Sequence, residues 1–311
     1  MICSGFKPLK SIILAIILII PAMTLSAQES NKTAKDTAKI PLIVNDSSYA
    51  GINTAKMPKW YEMITNIPGD WAKFWNVTWN EDKIPLYLTV AALTASTIAT
   101  DEKTWREVRK IHDRTTFNRK FDEFWTAFGD GRTQFELAFA FGAYGLITSD
   151  VRAVRTGSET VQAVLASGSV VQVMKHITGR ENPNTETQSA GIWRFFPNQI
   201  DYAKHVSVYD AFPSGHITTT LATVIVIAEN YPEIWWIRPL GYLGTACLAW
   251  GMVGTGIHWF SDYPLAVALG YTFGMIAAHP EGIPAEIAGK KINIMPTLVN
   301  RELGLSFGYS F

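Results

Sequence analysis

Phe212-Pro213-Ser214-Gly215-His216 stands directly ahead of an apolar run that extends to Ile227. Ser214 is a favoured N-cap residue, and the helix it would cap opens on His216-Ile217-Thr218. Gly215 has no side chain, so the first-turn N–H groups are left bare to an approaching anion. A helix N-terminus of that kind is a ready phosphate site. An imidazole beside the anion titrates near neutrality and can protonate a leaving oxygen. Taken alone, the same five residues read equally well as a helix start with a structural histidine.

Outward from this junction, six apolar segments can be marked: Ile84–Thr100, Phe135–Thr148, Glu159–Met174, His216–Ile227, Ile237–Ile257 and Tyr263–Ala278. They predict an all-α fold, a six-helix bundle over residues 84–278. None reaches the roughly 20 clean apolar residues of a comfortable membrane span. The second and third carry Glu136, Gln162 and Gln172 and serve equally as core helices. Between the first two, residues 101–133 hold a basic cluster that includes Lys103, Arg106, Arg109 and Lys110, and read as a loop.

Two more clusters lie at segment ends. Lys175-His176-Ile177-Thr178-Gly179-Arg180-Glu181-Asn182-Pro183 places cations after the third segment. A lysine there also serves simply to compensate a helix C-terminus. His258-Trp259-Phe260-Ser261-Asp262 precedes the sixth segment. A nucleophilic imidazole needs its other nitrogen held by an acceptor, and Asp262, four residues on, can reach back to His258. Any lone histidine with an aspartate at that spacing is also a common surface pair.

In this order and spacing the three clusters resemble the signature of the type 2 phosphatidic acid phosphatase/vanadium haloperoxidase superfamily: Lys-x6-Arg-Pro, Pro-Ser-Gly-His, and Ser-Arg-x5-His-x3-Asp. The resemblance covers about residues 84–278 and implies that family's six-helix core. By the same resemblance His258 would be the nucleophile that forms a phosphohistidine, Asp262 its orienting partner and His216 the acid. Lys175, Ser214 and the Gly215 N–H would hold the phosphate oxygens. The family's phosphatases require no metal, so no cofactor is expected.

Two departures stand out. The family's first arginine falls on Asn182, although Pro183 is kept, and its Ser-Arg pair falls on Gly251-Met252. Arginine suits those places because its planar fork binds two phosphate oxygens at once. Losing one such preorganised donor costs on the order of 3 kcal/mol of transition-state stabilisation. Arg180, Arg194 and Lys204-His205 are the nearby basic substitutes, with Arg180 or Lys204 expected to restore part of the charge. Asn182 and Arg180 therefore join Lys175, Ser214 and Gly215 as expected phosphate ligands.

The flanks point to the cell envelope. Lys7 and Lys10, the Ile12–Ile20 run and Ser26-Ala27 read as a signal peptide over residues 1–27, followed by a polar linker at 28–56. Residues 57–80 hold Trp60, Trp71, Trp75 and Trp79 and read as interfacial helices or, equally well, as ordinary helices covering the bundle. At 290–311, Leu303, Leu305, Phe307 and Tyr309 alternate with small or polar residues, as do Ile292, Ile294, Pro296 and Leu298 with theirs. This predicts a C-terminal β-hairpin.

Charged residues make up only 17% of the chain, and 27 basic residues balance 27 acidic ones, so nothing points to nucleic acid. With Cys3 inside the signal, Cys247 is left alone as a small core residue. The expected function is a phosphatase acting on a phosphomonoester or diphosphate, with a lipid or small-molecule phosphate as substrate and the membrane as partner. Its site is expected on the extracytoplasmic side. The alternative is a catalytically weak protein that binds phosphate or a lipid headgroup. Oligomeric state has no signal in the sequence.

Overall fold

The computed structural model describes residues 57–282 except Asn80 and Glu186, together with strands Ile292–Val299 and Glu302–Tyr309. The expected signal segment 1–27 and linker 28–56 lie outside the described residues.

Each of the six apolar segments is a helix. They are α3 (Ile84–Ile98), α6 (Gly131–Thr148), α7 (Val151–Thr178), α9 (Gly215–Asn230), α10 (Ile237–Thr255) and α11 (Tyr263–Ala278). The ends follow local chemistry. Asp150 caps α7 by accepting the Ala153 N–H at 3.1 Å. Pro264 occupies the first turn of α11, where a missing N–H costs no hydrogen bond. The fold is all-α, as the sequence predicts.

Ahead of α3 lie α1 (Glu62–Thr65) and α2 (Ile67–Thr78), and between α7 and α9 lies the short α8 (Gln199–Lys204). Helices α7, α9 and α11 pack mutually, α6 packs on α7, and α10 packs on α9. The α9–α11 seam is close because Gly270 faces α9; a Cβ there would stand 2.6 Å from the Thr218 carbonyl oxygen.

The basic stretch 101–133 is not a loop. It forms α4 (Asp101–Arg114) and α5 (Thr116–Phe128), both packed against α10. Charge alone misled the reading, because these helices are amphipathic. Lys103, Arg106 and Lys110 face solvent while Asp101, Val108, His112 and Asp122 are buried. His112 Nδ1 and Asp122 Oδ2 meet at 2.7 Å. This pair lies against Gly254 of α10, where an added Cβ would overlap Asp122 Oδ2 and stand 2.9 Å from its Cγ. Asp122 is held by His112 and cannot swing aside. Gly254→Ala is therefore expected to destabilise the fold by about 1–3 kcal/mol, and a thermal melt checks this as a fall of several degrees.

In the Trp-rich segment, α2 lies on α7 and α11. Gln162 Nε2 donates to Asp70 Oδ2 at 2.5 Å, Trp71 Nε1 donates to the Ala166 carbonyl at 3.2 Å, and Phe74 stacks on Phe273. Trp60, Trp75 and Trp79 remain exposed. The predicted hairpin is also present: β1 (Ile292–Val299) pairs antiparallel with β2 (Glu302–Tyr309), with Val299 opposite Glu302. No single helix among the described residues is long and apolar enough to cross a membrane. The bent pair α3 and α4 passes that test only together.

Candidate active site

The three clusters converge where α7 ends and α9 and α11 begin. Ser214 is the N-cap of α9, accepting the Ile217 N–H at 3.4 Å, and its own N–H donates to the Asp262 carbonyl at 3.1 Å. That second bond ties the start of α9 to the turn ahead of α11. It brings the rings of His216 and His258 to 5.7 Å between centroids.

His258 is buried, and its Nδ1 is held twice. The Ala211 carbonyl lies at 2.7 Å and Asp262 Oδ2 at 3.3 Å. Both partners are acceptors, so the proton belongs on Nδ1 and the lone pair on Nε2. Asp262 Oδ2 also accepts the Trp259 N–H at 2.8 Å, which fixes the carboxylate in place.

Lys175, one turn from the end of α7, is buried and pairs with Asp210 Oδ2 at 3.5 Å. Its Nζ lies 3.9 Å from where a Gly215 Cβ would stand, so it flanks the first turn of α9. His216 is only partly exposed. Burial, reinforced by the charges of His258 and Lys175, pushes its imidazole down to about 3. His216 is thus neutral at pH 7 until an anion arrives to favour its charged form.

His216, His258, Asp262, Lys175, Ser214 and Gly215 therefore stand together, and the remaining expectations fare differently. Arg180 is not placed as a phosphate ligand. Its side chain is fully buried, with Nη1 on Asp262 Oδ1 at 2.5 Å and on Ser261 Oγ at 2.6 Å, and Nη2 on Asp101 Oδ2 at 2.7 Å. The guanidinium approaches the carboxylate from the side away from the imidazole, because two acidic partners there neutralise it. Asn182 is buried, its backbone N–H donates to the Ser207 carbonyl, and its Oδ1 has no hydrogen-bond partner among the described residues.

Lys204 is exposed at the end of α8, and Arg194 leans on Glu181 at 3.6 Å. Met252, where the resemblance expects a second arginine, is fully buried against Val108, Ile217 and Leu248. Sequence reasoning missed Asp101, Ala211 and Asp210. A backbone carbonyl carries no residue signal, and Asp101 lies some 160 positions from the serine whose N–H it accepts.

Residues 159–280 match the model of the PAP2 superfamily. The matched stretch supports membership of that superfamily; it runs from within α7 past the end of α11 and contains all three clusters. Membership points to phosphatase-type chemistry on phosphate esters. No curated protein and no solved structure matches the chain.

Proposed function

We propose that this protein hydrolyses a phosphomonoester or diphosphate of an envelope lipid through a phosphohistidine on His258. The observation that carries the reading is the juxtaposition of the two imidazoles. One is fixed by acceptors on Nδ1, and the other is partly exposed beside Lys175 at the start of a helix.

In the first step His258 Nε2 attacks phosphorus, and the bond to the leaving oxygen breaks with that oxygen taking the proton of His216. The imidazolium formed is stabilised by Asp262. Water then attacks the phosphohistidine, giving its proton to His216, and inorganic phosphate leaves with the His258 lone pair restored. Lys175, Ser214 and the first-turn N–H groups at Gly215 hold the phosphate oxygens. None of these steps draws on a metal.

A lipid substrate is supported by the surroundings. An apolar cavity of about 390 Å³ between α9, α10 and α11 is lined by Ile217, Leu221, Tyr242, Tyr263 and Val267. Ile217 adjoins His216 in the chain, and the Tyr263 ring lies 6.5 Å from that of His258. The exposed Trp60, Trp75 and Trp79, with Leu240 and Leu243, supply apolar surface of the kind that seats on a bilayer.

A second reading is favoured by one observation: Lys175 is opposed by Asp210, and Arg180 is spent on Asp101 and Asp262. A phosphate site so short of cations suits a weak binder of phosphate or a lipid headgroup. Phosphate release by the purified protein from phosphatidate and lipid diphosphates in detergent micelles, set against water-soluble monoesters, decides between them. Turnover that favours the lipids supports the hydrolase. Saturable phosphate affinity without turnover overturns it and establishes the binder.

A further inference from the structure

Behind Asp262 lies a second, enclosed layer of charge. Asp262 divides its oxygens: Oδ2 serves His258 and the Trp259 N–H, and Oδ1 accepts from Arg180. Arg180 continues to Asp101, whose Oδ1 accepts the Ser261 N–H at 3.0 Å and whose Oδ2 accepts from the Ser261 hydroxyl. Every partner of Asp101 is a donor, the pattern of an ionised carboxylate. Burial leaves its carboxyl raised on balance, with Arg180 and Ser261 offsetting part of that rise. The guanidinium also lies over the rings of Trp193 and Trp259, at 4.8 and 5.5 Å from their centroids. All three charged side chains are fully enclosed, so solvent does little to screen them.

Alone, Arg180 would cancel the charge that Asp262 presents to the imidazole. With Asp101 on its other arm, the carboxylate–guanidinium–carboxylate row keeps a net charge of about minus one, so Asp262 is held rigidly without being neutralised. We propose that Arg180 and Asp101 are positioning residues for the nucleophile, and that they set the orientation and the effective charge of Asp262 behind His258. This rests on the hydrolase reading above for its kinetic test but not for its spectroscopic one.

The other groups facing His258 are His216 from α9 and Tyr263 from α11, with Lys175 and its partner Asp210 beside the start of α9. Of these, Asp210 pairs with Arg180 through the backbone, and Tyr263 feels the charges of Asp262 and Asp101.

The test is the acid limb of the kcat/KM pH profile in a mutant cycle. Asp101→Asn keeps the shape, removes one negative charge and leaves Arg180 to cancel Asp262. The limb is expected to move to lower pH by about one unit. Arg180→Met leaves two negative charges and is expected to move it to higher pH. The double variant, with the wild-type net charge, is expected to return the limb close to its wild-type position.

Opposite displacements that cancel are not produced by a merely structural role. An acid limb unmoved in Asp101→Asn, with only the melting temperature lowered, overturns the proposal. Should Arg180→Met fail to fold, Asp101→Asn alone still decides. If the folded wild type shows no turnover, the hydrolase reading is what has failed. The Nδ1–H proton resonance of His258 then decides: an upfield move in Asp101→Asn supports the positioning role, and an unchanged resonance rejects it.

Discussion

Replacing His258 with alanine is expected to lower kcat for phosphate release by about ten-thousand-fold or more, with the protein still folded. No other described side chain beside it can take its place. The His216 ring lies 5.7 Å from that of His258 and, among the described residues, lacks the paired acceptors that hold His258, which are the Ala211 carbonyl at 2.7 Å and Asp262 at 3.3 Å. Removing the imidazole leaves Asp262 its bonds to Trp259 and Arg180, so the carboxylate is not orphaned and a large unfolding penalty is not expected. His258→Asn serves as a polar control, since its amide can still donate toward the same acceptors while offering no nucleophilic nitrogen. Both variants should lose turnover alike, as judged by phosphate release alongside circular dichroism. Turnover within tenfold of wild type in either one would mean that His258 is not the nucleophile.

His216→Gln is expected to reveal an acid by its dependence on the leaving group. For an alkyl phosphate, whose alkoxide leaves poorly, kcat should fall by about a hundred- to ten-thousand-fold. For a nitrophenyl phosphate, whose phenolate leaves without help, the loss should be roughly tenfold or less. In the proposed mechanism, the proton that His216 donates is acquired on binding. In the free protein, burial and the charges of His258 and Lys175 hold this imidazole down to about 3, and a phosphate dianion reverses the electrostatic part of that penalty. Binding of inorganic phosphate at pH 7 should therefore take up a proton, seen as a calorimetric heat that varies with the buffer and is lost in His216→Gln.

The same shift bears on stability. Unfolded, this histidine protonates below about 6.5, while in the folded protein it stays neutral down to about 3. Its contribution to stability is complete above the first value and declines as the pH falls through that window. Thermal melts of the wild type should thus lose more between pH 7.5 and 5 than those of His216→Gln. Equal losses would show that His216 is not held neutral by the fold.

Much of this was legible in the sequence because it depends on neighbours in the chain. Ser214 caps α9 as its position predicts, and Asp262 reaches back four residues to His258. Hydrophobic patterning located the helices of the core and, by its period of two, the strands of the hairpin. Reading failed where charge was mistaken for exposure. The stretch 101–133 reads as a basic loop, yet Asp101 is its most consequential residue and is wholly buried. Arg180 failed for the same reason. From sequence, a cation two residues from a missing arginine is a natural replacement. In the fold, its two acidic partners come from 79 positions upstream and 82 downstream, where no local pattern could announce them.

Where the resemblance expects two arginines, the chain has Asn182 and Met252. Met252 is absorbed into an apolar cluster, and glycines at 251 and 254 let α10 close onto α5 and the His112–Asp122 pair. In the proposed reading the phosphate is left to Lys175 and the start of α9, a sparse set of donors beside His258 and Asp262.

Rapid-quench labelling with substrate carrying a radioactive phosphoryl group, followed by peptide mapping, tests the central claim most directly. The account predicts a label on His258 that is stable in alkali, released by acid, formed within the first turnover and absent from His258→Ala. Steady turnover with no label at His258, or with the label on another side chain, would contradict it.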